Sequence, residues 1–365
     1  MRILIPIIGF APAGGYRVLS ELANNWIKAG QKVDFLVNEA SLPPYFPTDA
    51  GIIWITNLGR LISETERKNR TPPTLKGLLN LVGLSRAITK IGKNYDIILA
   101  NHSLTTWPVA FSRCEIFKKF YYIQAYEPEY YDEEKGLKSR IHGWLSKKSY
   151  DFNITQVCNA KNYIGYKNIR AKEWVPPGID FDIFYSKSKY TDFSTTQEII
   201  LGCIGRREPA KGIKYVLEAF ELLYAMDQRY RLHVAFGNLP ADWSHPGLKV
   251  VMPRSDRELS EFYRSLDIML APGTLQLGAP HYPVMEAMAC GVPVVNTGYL
   301  PADTKNSWIV DVGSSTSIVA AVNSIVSGDN YKNRIEKAAK DISYFDWQRV
   351  ANQMKQIFLK NKKIN

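Results

Sequence analysis

The chain of 365 residues reads as an α/β protein of two doubly wound domains with mainly parallel sheets. Short runs rich in Ile, Val, Leu and Phe alternate with longer helical patterns from end to end, the signature of strands joined by crossover helices. The alternation is interrupted near the middle, at Val175-Pro176-Pro177-Gly178-Ile179-Asp180, where two prolines and a glycine stop any regular element. At roughly 150 residues per domain, the length also favours two domains.

In the first series a strand is expected at residues 2–8, then a helix at 15–29 whose apolar positions Val18, Leu19, Leu22 and Trp26 share one face. Further strands are expected at 33–37, 52–55, 97–100, 120–123 and 152–155. In the second series strands fall at 199–204, 232–236, 249–251, 268–271 and 293–296, and helical patterns at 331–343 and 346–360 close the chain. The domains that follow are 1–175 and 176–345, with a last helical segment at 346–365. Open α/β sheets bind ligands at the carboxyl ends of their strands, so an active site is expected in a central cleft between the halves.

Apolar residues at 45% and charged residues at 22% lie in the globular range and argue against long disorder or a collagen-like or heptad chain. The formal charge of +11 calls for an acidic partner: nucleic acid, an anionic membrane surface or a phosphorylated small molecule. Cys114, Cys158, Cys203 and Cys290 are scattered, with no C-x-x-C pair, so neither a disulfide framework nor a zinc site is expected and a reducing cytoplasm is the default. No run approaches the roughly 18 apolar residues of a membrane span.

The strongest local signal is Cys203-Ile204-Gly205-Arg206-Arg207-Glu208-Pro209-Ala210-Lys211-Gly212, between a strand and a helix. Cations at a strand end, beside glycines that let backbone N–H groups approach, suit a diphosphate whose charge grows as it leaves. A solvated basic turn is the plainer reading, which the next motif displaces. From Pro283 and Val284 to Gly291 the sequence predicts a helix with proline in its first turn and glycine at its end. Its amino end would offer N–H groups and a positive dipole to phosphate. Glu286, expected on the first turn, would accept ribose hydroxyls or merely complement the dipole.

In these motifs, and in their order and spacing, the chain resembles the retaining GT-B glycosyltransferases of family 4. The resemblance runs over nearly the whole length: Gly14-Gly15 before a helix, Asn101-His102-Ser103, Pro177-Gly178-Ile179-Asp180, Gly205-Arg206 with Lys211-Gly212, and Glu286-Ala287-Met288-Ala289-Cys290-Gly291. It implies two Rossmann-like domains, with the last helix crossing back to the first. It further implies that Arg206 and Lys211 grip the diphosphate of a dTDP- or UDP-sugar, that Gly14, Gly15 and Gly205 let the backbone approach, that Glu286 holds the ribose and that His102 lies beside the donor sugar. No further cofactor and no metal are implied, and Asp180-Phe181-Asp182 is read as organising a turn. The family's second glutamate, eight residues before Glu286, is replaced by Gly278, so His281 and Tyr282 are expected to take over the donor sugar. Gln124-Ala125-Tyr126-Glu127-Pro128 looks like the Q-x-Y-E-P segment of a rhamnosyltransferase-like branch, which implies a deoxyhexose donor and an acceptor side near Gln124 and Glu127.

The acceptor implied is a glycan or lipid-linked glycan. The stretch 135–148 carries Lys135, Lys138, Arg140, Lys147 and Lys148, with Leu137, Ile141, Trp144 and Leu145 at helical spacing. Its apolar positions are expected to pack against the first sheet, while the surplus charge favours peripheral contact with an anionic membrane at the inner face of the plasma membrane. Three rival readings stand beside this one. A nicotinamide enzyme fails on glycine spacing, because Gly9, Gly14 and Gly15 do not make G-x-G-x-x-G. A nucleic-acid binder fails on dispersed basic residues and the absence of a reading motif. A GT-B protein that binds a sugar nucleotide without transferring it stays open because of Gly278.

Overall fold

A computed structural model describes residues 1–68, 77–132, 136–186, 190–328 and 331–364. The chain divides into two compact units, Met1–Gly178 with Trp347–Asn365, and Ile179–Asp346.

The first unit runs β1 (Arg2–Pro6), α1 (Gly14–Lys28), β2 (Lys32–Asn38), β3 (Gly51–Ile55), β4 (Leu61–Ile62), α2 (Glu64–Lys68) and α3 (Gly77–Ile91). It continues through β5 (Ile97–Ala100), α4 (Ser103–Phe111), β6 (Lys119–Ile123), α5 (Pro128–Asp132), α6 (Leu137–Ser149), β7 (Thr155–Cys158) and β8 (Glu173–Trp174). The eight strands order as β4-β3-β2-β1-β5-β6-β7-β8, parallel except where β4 turns back on β3. Strand order reverses direction between β1 and β5, the switch point where open sheets leave a crevice. Strands β1, β5 and β6 are buried almost throughout, which is why they read as continuous apolar runs rather than alternating ones.

The second unit holds β9 (Ile199–Ile204), α7 (Ile213–Met226), β10 (Tyr230–Ala235), β11 (Leu248–Val251), α8 (Asp256–Ser265) and β12 (Ile268–Ala271). It ends with α9 (Tyr282–Ala289), β13 (Val294–Asn296), β14 (Trp308–Ile309), α10 (Ser315–Val326) and α11 (Tyr331–Ile342). Its all-parallel sheet orders as β11-β10-β9-β12-β13-β14, with the switch point between β9 and β12. The closing helix α12 (Trp347–Ile364) belongs to the first unit. There Phe358 is fully buried, its ring 4.8 Å from Phe120 and 5.6 Å from Trp26, and the Trp26 indole N–H donates to the Ala351 carbonyl at 2.9 Å.

Two expectations are corrected. The strand expected at 152–155 is β7, three residues later: 148–154 turns on itself through Asp151 and Ile154 N–H bonds, and the polar Gln156 inside β7 is buried. Gln156 is satisfied there by the Tyr150 carbonyl and the Arg170 N–H, so hydrophobicity gave no sign of the strand. The second correction concerns α6. Its inward side is Ser139, Gly143, Ser146 and Ser149, whereas Leu137, Ile141 and Trp144 are 75%, 50% and 56% exposed. Close packing on α5 selects small residues: a Cβ on Gly143 would stand 3.2 Å from that of Tyr131. Lys135, in the same expected stretch, lies outside the described residues.

Candidate functional site

In the second unit the carboxyl ends of β9 and β12 open on a cavity lined by Arg206, Lys211, Pro272, His281, Tyr282 and Pro283, among others. At about 170 Å³ it is smaller than the roughly 300–1,000 Å³ of pockets enclosing a whole ligand, so it suits one part of a larger molecule. Lys211 is placed by the turn after β9. Gly212, which follows it, has φ +75° and caps α7, and a Cβ there would meet the Pro272 carbonyl at 2.1 Å. Only glycine fits both demands, so the Lys211 backbone is pinned against the end of β12.

The Lys211 backbone N–H donates to the Glu208 carbonyl at 2.9 Å, but among the described residues neither the Arg206 nor the Lys211 side chain makes a hydrogen bond or an ion pair within 4 Å. Burial, and then the Arg206 charge, hold the Lys211 ammonium below its usual pKa, with Glu208 offsetting only part of that. Two cations thus converge with no anion between them. His281, half-buried, packs on the Tyr299 ring with centroids 4.6 Å apart. Burial, then Lys211 and Arg206, push its pKa down to about 3, so the imidazole is neutral at physiological pH. Its Nδ1 is sealed from solvent without a hydrogen-bond partner.

Helix α9 starts beside these groups with proline in its first turn. Pro283 has no N–H and the Val284 N–H is taken by the His281 carbonyl at 3.0 Å, so this end offers chiefly its dipole. Val284 itself is fully buried in the core. The Gly205 N–H is likewise spent, on the Ala235 carbonyl at 2.8 Å. Glu286 stands in the second turn of α9 rather than the first; it is 2% exposed and accepts the Tyr263 hydroxyl at 2.9 Å. Gly278 has φ +79° and donates its N–H to the Gly298 carbonyl at 2.8 Å. A glutamate would be strained in that backbone, so the glycine goes with the loop's shape. Asp180 accepts the Asp182 N–H at 2.9 Å within its turn.

In the first unit Gly14, Gly15, His102, Gln124 and Glu127 gather at the carboxyl ends of β1, β5 and β6. Gly14 and Gly15 begin α1, and a Cβ on Gly15 would touch the Gln124 amide at 3.4 Å. His102 caps α4: its Nδ1 accepts the Leu104 N–H at 3.1 Å, so Nε2 carries the proton, and that nitrogen lies 3.4 Å from Glu127. Glu127 is 8% exposed, and its carboxylate accepts the Ser103 N–H at 2.8 Å and the Ser103 hydroxyl at 2.5 Å. Glu127 is therefore anchored to the amino end of α4, oriented toward His102.

Ser103, Tyr263 and Tyr299 are site residues that sequence reasoning missed. Ser103 carried a weak signal, a hydroxyl at a helix start beside a singled-out histidine. The two tyrosines come from distant segments and no local pattern marks them.

The chain shares its fold with sucrose-phosphate synthase from Thermosynechococcus elongatus, at 16% identity and a TM-score of 0.75 over 100% of both chains. It is similar to Anabaena HepE, solved with UDP and glucose, at 16% identity and a TM-score of 0.68 over 99% of this chain and 100% of that one. WaaG, a glycosyltransferase involved in lipopolysaccharide biosynthesis, matches at 16% identity and a TM-score of 0.69 over 98% and 99%. The fold is therefore GT-B, two Rossmann-like parallel-sheet domains. Within it, residues 198–328 match the family model described as glycosyl transferases group 1. That segment contains Arg206, Lys211, His281 and Glu286. No curated protein sequence matches the chain.

Proposed function

We propose that this chain is a glycosyltransferase that moves a sugar from a nucleoside diphosphate donor to a glycan or lipid-linked glycan, with retention of anomeric configuration. The observation that carries the reading is the pair Arg206 and Lys211, two cations whose side chains form no ion pair within 4 Å among the described residues, at a switch-point cavity beside a helix amino end. A diphosphate supplies the missing charge. The group 1 match over 198–328 and the sugar nucleotide bound by HepE support the same donor class.

In the reaction the bond from C1 of the sugar to the diphosphate oxygen breaks, and the acceptor oxygen bonds to C1 on the same face. The acceptor's proton passes to the departing phosphate oxygen, so no side-chain nucleophile is needed. Arg206 and Lys211 stabilise the negative charge that grows on the diphosphate, the Lys211 backbone being held by the Gly212 turn. Neutral His281, stacked on Tyr299, and Tyr282 are assigned to the sugar in place of the glutamate absent at Gly278, and Glu286 to the ribose. His102, Gln124 and Glu127 serve the sugar and acceptor side, with Glu127 fixing the His102 tautomer. The four free cysteines are consistent with a reducing cytoplasm.

The donor is assigned as a deoxyhexose such as dTDP-rhamnose, on the Q-x-Y-E-P segment and His281-Tyr282-Pro283. The purified chain is offered a panel of dTDP- and UDP-sugars with glycan acceptors, and product is read by mass. Turnover is expected to be fastest with dTDP-rhamnose; far faster turnover with UDP-glucose defeats the donor assignment. Tight nucleotide binding without any product would favour the second reading that Gly278 motivates, a binding protein without transfer.

A further inference from the structure

Helix α6 is inverted relative to an ordinary core-facing helix. Its small residues face the protein, and Leu137, Ile141 and Trp144 form an outward strip at i, i+4 and i+7. Lys148 shares that strip, with Arg140 and Lys147 along one side and Lys138 on the other, all exposed. The strip extends onto α4, since Trp107 lies 6.4 Å from Trp144 and 5.9 Å from Phe111, itself 65% exposed. None of the thirteen residues of α6 is acidic, and Lys148 pairs with Asp151 at 3.1 Å.

We propose that this face docks the enzyme on an anionic lipid bilayer. An apolar strip bordered by lysine and arginine, with tryptophan among the apolar residues, is the arrangement that settles into a headgroup layer, the aliphatic groups entering the acyl boundary and the cations staying with the phosphates. A second copy of the chain is a poor occupant. A two-fold contact would set Arg140, Lys147 and Lys148 of each copy against the same residues of the other, with no acid on the helix to neutralise them. Among the described residues no helix is long and apolar enough to cross a membrane, so the contact is peripheral. This attachment brings the chain to the surface where a lipid-linked acceptor resides, and it rests on the sugar-transfer reading only for that purpose.

The test is sedimentation of the intact chain with vesicles of phosphatidylcholine alone or mixed with phosphatidylglycerol, which needs no turnover and so is read separately from sugar transfer. The chain is expected to partition onto the mixed vesicles and to stay in solution with the neutral ones. I141S/W144S and K147E/K148E should each weaken partitioning by about tenfold or more, while K214E/K249E in the second unit should behave as the parent. Thermal melting of each variant reports folding, which these outward substitutions should leave intact. Equal partitioning onto neutral vesicles, no partitioning onto anionic ones, or strip variants that bind as the parent does would overturn the proposal. So would a concentration-dependent dimer in light scattering that the strip variants abolish.

Discussion

Replacing Lys211 by methionine separates the charge from the stem that carries it. In the folded chain without ligand this ammonium is half-buried, repelled by Arg206 and, among the described residues, in no ion pair within 4 Å. Burial and Arg206 lower its pKa, so the folded state holds the proton less tightly than the unfolded chain does. The sign follows: the charge disfavours folding at neutral pH, and the penalty fades as pH rises past the folded-state pKa. Methionine keeps the apolar stem and removes the penalty, so the melting temperature should stay level or rise by a few degrees. Ligand binding should move the opposite way. A hydrogen bond to a charged group contributes about 1.5–3 kcal/mol, so losing the Lys211 contact to a diphosphate should weaken binding by roughly 10- to 150-fold. Calorimetric titration with UDP and dTDP gives the affinity, and differential scanning gives the melting point. A variant with parental affinity for both nucleotides, or one that melts well below the parent, refutes the reasoning.

Three further outcomes are expected. With a folded pKa of about 3 against about 6.5 when exposed, His281 stays neutral while the unfolded chain takes up its proton, so it makes stability fall as pH drops from 6.5 toward 3. The slope is at most about 1.4 kcal/mol per pH unit, and His281→Gln should flatten denaturant-measured stability between pH 6.5 and 5; an unchanged slope contradicts the burial argument. Glu127→Gln keeps an acceptor for the Ser103 N–H but removes the charge facing His102, so kcat should fall by about 10- to 100-fold with donor KM little changed. Steady-state kinetics check this, and an unaffected kcat removes Glu127 from the mechanism. Phe358→Ala leaves a hole between Phe120 and Trp26 and should cost about 3–5 kcal/mol in chemical denaturation; a loss under 1 kcal/mol would mean that α12 adds little to the first unit.

The fold was legible where burial is complete. The strands at 97–100, 199–204 and 268–271 have the expected bounds because both faces of a parallel sheet are covered and their sequences are unbroken apolar runs. Strands β4, β8 and β14 went unread because two residues at or near a sheet edge carry no periodicity. Gln156 hid β7 because a buried amide looks like a loop residue until its partners are known. On α6 the helical spacing of the apolar residues was correct and their direction was not. Spacing says which residues share a face, whereas the need of α5 for close approach decides which face turns inward.

The candidate site divides in the same way. Arg206 and Lys211 were legible because they sit in the turn after β9, and His281, Tyr282 and Pro283 because proline marks the start of a helix; all five line one cavity. The tie of Glu286 to Tyr263, the stacking of His281 on Tyr299 and the anchoring of Glu127 by Ser103 are contacts between distant segments, which only the folded chain brings together.

The most direct test is a crystal structure with a nucleoside diphosphate sugar bound. Phosphate oxygens within hydrogen-bonding distance of both the Arg206 guanidinium and the Lys211 ammonium, beside the amino end of α9, are the predicted result. A ligand whose diphosphate lies elsewhere, with these two side chains still facing solvent, would contradict the account.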